Sequence, residues 1–280
     1  MEDLTLYSKE ELVQIQKIEL EALKQIVKAC DSLHIEYFLI GGTALGAVRH
    51  DGFIPWDDDI DIGMTRNNYN RFIREAQALL PEEYTIQSPE TDRHSPYFYT
   101  KVRIDGTIFM EYCNRNLKIH HGVYVDIFPF DNVPDNEHEY TKHFNGIQHL
   151  IRIFNFRQTP DVSEAPHNFI GHVKQSIRHI IHHLSRIISF NHLYGALYSK
   201  FTKYNSIHTK AITCYNFPKI KTEYILRSDL YPLKLHRFED TEFAIPSNFD
   251  TYLKTHYGDY MQLPSPEKRF GHKPYRVKIY

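Results

Sequence analysis

The sequence predicts an α+β fold, with a strand-rich first half flanked by helices, a mainly helical stretch after it and a loop-rich close. Three observations lead there. The first half alternates helical periodicity with short apolar runs of strand length. Residues 137–230 turn to helical spacing, and Pro232, Pro246, Pro264, Pro266 and Pro274 interrupt residues 231–280. The expected division is a catalytic core over 1–135, a mainly helical region over 136–230 and a C-terminal segment over 231–280 that packs on the core.

Residues 8–33 carry an amphipathic helix. Ser8 and Glu11 stand at capping-box spacing, and Leu12, Ile15, Ile18, Ala22, Ile26, Cys30 and Leu33 recur at steps of three and four. Residues 35–40 are apolar but too few for a helix, so they read as a buried strand that Gly41-Gly42 ends. A short helix is expected over 43–49, a loop over 52–56 and a half-buried strand over 59–64, where polar and apolar residues alternate. Helical spacing resumes over 65–80 and stops before Pro81. Residues 84–87, 97–104, 107–112 and 123–128 read as strands, with Asp105-Gly106 as a hairpin turn.

The helical region is interrupted around Pro160, Pro166 and Pro218. Within it Ile177, Ile180, Ile181, Leu184, Ile187 and Ile188 form an apolar stripe beside Lys174, Arg178 and Arg186. Packing of this stripe against the catalytic core is the expectation; peripheral contact with a membrane surface is its other use.

Composition narrows the function classes. The chain has 280 residues, 41% hydrophobic and 24% charged, enough to bury a core and too apolar for a disordered chain. Lys and Arg number 33 against 35 Asp and Glu, and no long basic run occurs, so no nucleic-acid partner is expected. The 18 histidines are scattered without ligand spacing, which argues against a histidine-based zinc site. Cys30, Cys113 and Cys214 are odd in number and far apart, as in a reducing compartment. The start, MEDLTLYSKEEL, has no basic-then-apolar leader, and no apolar run reaches the roughly 18 residues of a membrane span. A cytoplasmic location is the expectation.

The residues that carry chemistry lie between Gly41 and Asp61, with Asp126 beyond. Asp59 and Asp61 stand two apart on the predicted strand, so both carboxylates face one way. Like charges held together repel, and a divalent cation removes that penalty. Magnesium, a hard ion that keeps phosphate oxygens among its ligands, suits such a site, with manganese as its substitute. Asp126 lies in the apolar, strand-like VYVDIF of residues 123–128, and burial without a partner would disfavour it. Three converging carboxylates could hold two ions. Gly41, Gly42 and Thr43 sit between a strand and a helix start, where free N–H groups favour an anion. Arg49, His50, Lys101 and Arg103 are the cations available to a phosphate donor. Each piece also has an ordinary structural use: Asp57-Asp58-Asp59 as a solvated loop, Asp126 as a cap or a partner of a core arginine, Lys101 and Arg103 as surface charges.

At these residues the sequence resembles the LicD family, phosphocholine transferases related to fukutin. The likeness rests on GGTALGAVRH at 41–50, GFIPWDDDIDI at 52–62 and GVYVDIFPFD at 122–131. It continues in a tail with Ile245-Pro246, Tyr252-Leu253, Tyr257-Gly258-Asp259-Tyr260-Met261, Pro264 and His272. The resemblance implies a nucleotidyltransferase-like mixed β-sheet with flanking helices. It implies metal-binding roles for Asp59, Asp61 and Asp126, and donor-phosphate binding by Gly41, Gly42 and Thr43. It further implies a CDP-linked alcohol such as CDP-choline as donor. The acceptor would be a glycan of the cell envelope, a lipopolysaccharide or a teichoic acid precursor, lipid-linked or soluble, met at the inner face of the membrane. The same site would serve a nucleotidyltransferase that leaves a nucleoside monophosphate on its product. A silent binding module would be expected to have lost one of the three carboxylates, and an Asp-x-Asp glycosyltransferase would not require Gly41-Gly42 or Asp126.

Overall fold

The computed structural model describes residues 7–279; residues 1–6, the beginning of the polar start, and residue 280 lie outside the described residues. The chain begins with α1 (Lys9–Ser32), β1 (Phe38–Leu39), α2 (Gly41–His50), β2 (Asp61–Thr65), α3 (Arg66–Glu75), β3 (Tyr84–Gln87), β4 (Thr100–Ile104), β5 (Ile108–Met110) and β6 (Tyr124–Asn132). It continues with α4 (Glu137–Gln158), α5 (Phe169–Ser185), α6 (Phe190–Phe201), β7 (Ala211–Thr213), β8 (Tyr224–Leu226) and α7 (Arg227–Leu230). It closes with β9 (Lys234–Phe238), β10 (Thr241–Ile245), α8 (Phe249–Tyr257) and β11 (Arg276–Lys278).

The capping box at the start of α1 forms: the Ser8 hydroxyl accepts from the Glu11 N–H at 3.1 Å, and the Glu11 carboxylate accepts from the Ser8 N–H at 2.7 Å. The buried face of α1 is Leu12, Ile15, Glu19, Ala22, Leu23, Ile26, Ala29 and Cys30. Ile18, expected on that face, is only half-buried, and the acid beside it is buried instead.

Strands run in the order β1-β2-β6-β4-β3. β2 and β6 are parallel and every other neighbouring pair is antiparallel, which makes the sheet mixed. Helices α1 and α3 pack against it, the α+β arrangement that the resemblance implies. β6 is buried along its whole length and extends past Phe128 through Pro129 to Asn132. Proline is tolerated because β4 pairs with β6 only up to Ile127 and β7 begins at Asp131, so that edge is unpaired at Pro129.

Several expectations need correction. α2 begins at Gly41, two residues early, because the Ala44 N–H already reaches the Ile40 carbonyl at 3.0 Å; the entry into the helix bends through a left-handed φ of +53° at Gly41, which glycine adopts readily. Asp105-Gly106 turns the chain, but its flanking strands do not pair. β4 has both edges filled by β3 and β6, so β5 pairs with β11 from the far end of the chain. Residues 137–230 are not helical throughout: the apolar triplets Ala211–Thr213 and Tyr224–Leu226 add two strands beyond β6. The closing segment is more regular than its prolines suggest, with the β9-β10 hairpin and α8.

The main core spans the sheet, α1 and the buried side of α8. A second cluster joins Phe98 and Val133 to Tyr140, Phe144, Ile147 and Phe154 of α4 and Leu193, Leu197 and Phe201 of α6. α5 lies against α4 and buries no residue, so the predicted packing of its apolar stripe against the catalytic core does not occur. No helix of the described residues is long and apolar enough to cross a membrane.

Candidate active site

The parallel pairing of β2 with β6 sets Asp61 directly beside Asp126. Neighbouring strands stand about 4.8 Å apart, so register alone brings these two carboxylates into one place. Asp61 also receives support from α2. Its backbone N–H donates to the Thr43 hydroxyl at 2.8 Å, and its Oδ2 lies 3.3 Å from where a side chain at Gly41 would start. Asp126 is 4% exposed and does not stand alone. Both its oxygens accept from the Lys101 ammonium on β4, each at 2.8 Å. That ammonium also sits 3.4 Å from the centroid of the Tyr124 ring and 4.6 Å from that of Tyr97. Asp126 thus has a core lysine where an arginine was one expected partner.

The loop before β2 contributes more than Asp59. Asp58 is fully buried and accepts from the Tyr7 hydroxyl at 2.5 Å, the His272 backbone N–H at 3.0 Å and the His272 Nδ1 at 2.9 Å. Ligand atoms of Asp58, Asp59 and His272 lie within 4.8 Å of one another, the group of three among the described residues with metal-ligand spacing. Asp59, Asp61 and Asp126 do not meet that closely, since Asp126 turns to Lys101. Asp57 points at α2, its Oδ2 2.7 Å from where a side chain at Gly42 would begin. Glycines 41 and 42 therefore leave room for carboxylates.

Electrostatics follow from this crowding. Burial pushes Asp57 up to about 8, with Asp59 and Asp58 adding repulsion, and raises Asp61 well above the ordinary carboxylate range, with Asp59 and Asp126 adding to it. Burial also raises Asp126, to about 6, with Lys101 opposing the rise. Asp58 goes the other way: burial alone would raise it, but its bonds from His272 and Tyr7 hold it below the usual value. Burial alone would lower His272, and Asp58 and Asp59 reverse this to about 10, so the imidazole is cationic.

Glu19, missed in the sequence reading, joins the cluster from α1. It is 1% exposed, its Oε2 has no hydrogen-bond partner, and burial followed by Asp59, Asp58 and Asp57 pushes it well above the ordinary carboxylate range. One signal was available, since Glu19 stands four after Ile15 and three before Ala22, on the apolar stripe itself. Carboxylates here outnumber their cations, Lys101 and His272, and all are hard oxygen donors. That donor set, with an unpartnered buried oxygen, fits a divalent cation of the magnesium type.

The donor-binding candidates separate. The Gly41 N–H donates to the Tyr252 hydroxyl at 2.9 Å, and Tyr252 donates onward to the buried Glu223 at 2.7 Å. Thr43 keeps its hydroxyl proton free to donate, as its oxygen accepts from Asp61. Arg49 and His50 close α2 at its other end, roughly 12 Å from Gly41 at 1.5 Å per residue. Arg49 donates to the Tyr260 carbonyl at 2.7 Å, and His50 lies against Trp56 with ring centroids 6.3 Å apart. Arg103 is buried, donating to Gln87 at 3.1 Å and to the Gly122 carbonyl at 2.8 Å. Lys101 is thus the candidate cation placed among the carboxylates. Glu223, Tyr252 and His272 complete the site from regions where no catalytic residue was expected.

Residues 34–170 match the family model described as LicD/FKTN/FKRP, nucleotidyltransferase domain. The lipopolysaccharide cholinephosphotransferase LicD of Haemophilus influenzae is 26% identical over 270 residues, covering 94% of this chain and 95% of that protein. The ribitol 5-phosphate transferase FKRP of Homo sapiens is 41% identical over 111 residues, which is 39% of this chain and 20% of that protein.

Proposed function

The chain belongs to the LicD family, and on that footing we propose that it transfers a phospho-alcohol group, phosphocholine or a close analogue, from a CDP-linked donor to a hydroxyl of a cell-envelope glycan. It is a LicD-like phosphotransferase. The observation that carries the reading is the side-by-side placement of Asp61 and Asp126, with Asp57, Asp58, Asp59 and Glu19 crowded against them. Such charge suits a site whose substrate is a diphosphate carried with a divalent cation.

Asp59 and Asp61 are the proposed holders of magnesium, or of manganese in its place, with Asp126 as the adjoining third carboxylate. A bound ion would offset the charge that builds on the phosphoryl oxygens. The chain's own residues do the rest. The acceptor oxygen attacks the donor phosphorus, a new P–O bond forms, and the bond to CMP breaks. The acceptor proton passes to Asp126, whose pKa of about 6 suits a base near neutrality. Lys101 steadies Asp126 in that orientation. Of the expected phosphate-binding residues at the start of α2, Thr43 is the one left to meet a donor phosphate, since Tyr252 takes the Gly41 N–H and the Asp57 carboxylate lies over Gly42. The acceptor belongs to the lipopolysaccharide or teichoic acid class, met in the cytoplasm at the inner face of the membrane.

A second reading is favoured by the matched domain's own description: a nucleotidyltransferase would keep the nucleoside monophosphate on the product. A donor screen decides between them. Purified protein, magnesium, a panel of nucleotide-diphospho compounds and an envelope glycan extract are followed by mass spectrometry, with Asp61→Ala alongside. Magnesium-dependent CMP release and a phospho-alcohol on the glycan, both lost in Asp61→Ala, are expected. Nucleoside monophosphate on the glycan would make the protein a nucleotidyltransferase, and an Asp61→Ala protein as active as wild type would overturn the site.

A further inference from the structure

α5 is packed inside out. Successive residues of a helix advance by about 100°, which places Phe169, Ile170, Ile177, Ile180 and Leu184 along one side. All five are exposed, between 51% and 81%, and Ile187 just past the helix end is exposed too. The polar side faces the protein. Arg178 donates to the Thr159 and Asn155 carbonyls at 2.9 Å, His182 Nδ1 lies 3.0 Å from the Phe156 carbonyl, and Gln175 accepts from the Val162 N–H at 3.0 Å. His179 Nε2 lies 3.0 Å from the buried Asp161. Hydrogen bonds hold the helix to α4 and the loop after it, and its apolar stripe stays outward. Water gives such a stripe nothing in return.

Charge indicates what covers it. Residues 165–222 contain eight of the chain's 33 Lys and Arg and none of its 35 Asp and Glu, so this stretch is +8 while the remainder is −10. At the C-terminal end of α5 a cavity of about 510 Å³ is lined by Arg93, His94, Arg157, His182 and Arg186, with no carboxylate in its wall. An apolar helix face that runs up to a basic cavity matches an anionic bilayer, where acyl chains take the apolar side and headgroup phosphates the cations. At 17 residues, α5 is about 25 Å long and lies in the plane of such a surface.

We propose that α5 is a peripheral membrane anchor that seats this protein on an anionic phospholipid surface. The anchor does not depend on which donor or acceptor the active site takes, and its test needs neither. The full chain is floated with vesicles of phosphatidylcholine alone, or with roughly a third phosphatidylglycerol, at low and high salt. Wild type is expected to float with the anionic vesicles and less so at high salt. Ile180→Glu with Leu184→Glu is expected to cut the bound fraction about tenfold or more. Both positions are solvent-exposed, so the thermal melt of the double variant should match wild type. Wild type that stays unbound with anionic vesicles, or that binds no better than the double variant, overturns the proposal. So does light scattering that finds a lipid-independent dimer dissolved by the same substitutions, since the stripe would then serve a second copy of this chain.

Discussion

Lys101 on β4 and Asp126 on β6 are register partners, and the lysine ammonium lies 2.8 Å from both oxygens of that carboxylate. Both side chains are almost wholly buried, at 4% and 6% exposed. Removing one member of a buried pair strands the other in a poor solvent for charge. Lys101→Met should therefore lose about 3–5 kcal/mol of stability, and Lys101→Met with Asp126→Leu should recover most of it. Urea denaturation of the two variants checks this; equal losses would mean that the pair is not coupled.

Asp61 behaves differently, because its neighbours repel it. Asp61→Asn removes one of several like charges, so in metal-free buffer its melting temperature should equal or exceed that of wild type. Wild type should gain about 2.7 kcal/mol when magnesium reaches a hundred times its dissociation constant, and chelation should remove the gain. Asp61→Asn should show little of it. Scanning calorimetry with and without chelator is the measurement, and an equal magnesium response in both proteins would place the ion elsewhere.

Gly46 packs α2 against the loop that leads to the acidic run. A Cβ there would start 2.5 Å from the Gly52 carbonyl oxygen and 3.3 Å from the Ile54 nitrogen, both backbone atoms. Gly46→Ala must push that loop outward, at a cost of about 1–3 kcal/mol. Transfer activity should fall further than stability does, since the displaced loop carries Asp57, Asp58 and Asp59. Parallel melts and donor-turnover assays check the ratio.

Asp161 fastens α5 to the body and makes the fold acid-sensitive. Its carboxylate accepts from Arg115 at 2.8 Å and Asn116 at 3.0 Å, and also meets Gln175 and His179. Burial alone would raise this group, but the bond to His179 and the charge of Arg115 hold it below its ordinary value. A depressed carboxylate stabilises the fold fully above its unfolded value of about 3.9, and the contribution drains away as pH falls through the folded value. Asp161→Asn should lose about 1–3 kcal/mol at pH 7 and flatten the stability decline below about pH 4. Melting curves across pH 3–7 give both numbers.

Much of the site was legible because motif and periodicity coincide there. Ser8 and Glu11 declared the start of α1, and the alternation around Asp61 declared a strand with an acid on its open face. Asp126 was legible because a carboxylate in an apolar strand needs a partner. Glu19 was hidden by an averaging habit: a stripe read for apolar residues passes over the one acid placed on it. Lys101 and Arg103 look equivalent at spacing two, yet their neighbours across the strand differ. Asp126 faces Lys101, and Tyr124 faces Arg103.

By itself the sequence determined the local events, since capping, periodicity and turn chemistry act over a few residues. It singled out Asp59 and Asp61 and identified α5 as amphipathic, although the expected strand over 59–64 begins only at Asp61 and leaves Asp59 on the loop before it. Only the tertiary structure decided which strands meet, because pairing depends on free edges. β4, filled on both sides, sent β5 to β11, and the parallel join of β2 to β6 put Asp126 beside Asp61. Only the tertiary structure brought Tyr252 to Gly41 and His272 to Asp58 across more than 200 residues of chain. The direction in which α5 faces was decided there too. Amphipathicity fixes that a helix has two sides, and the hydrogen bonds of Arg178, Gln175 and His182 chose which side the protein keeps.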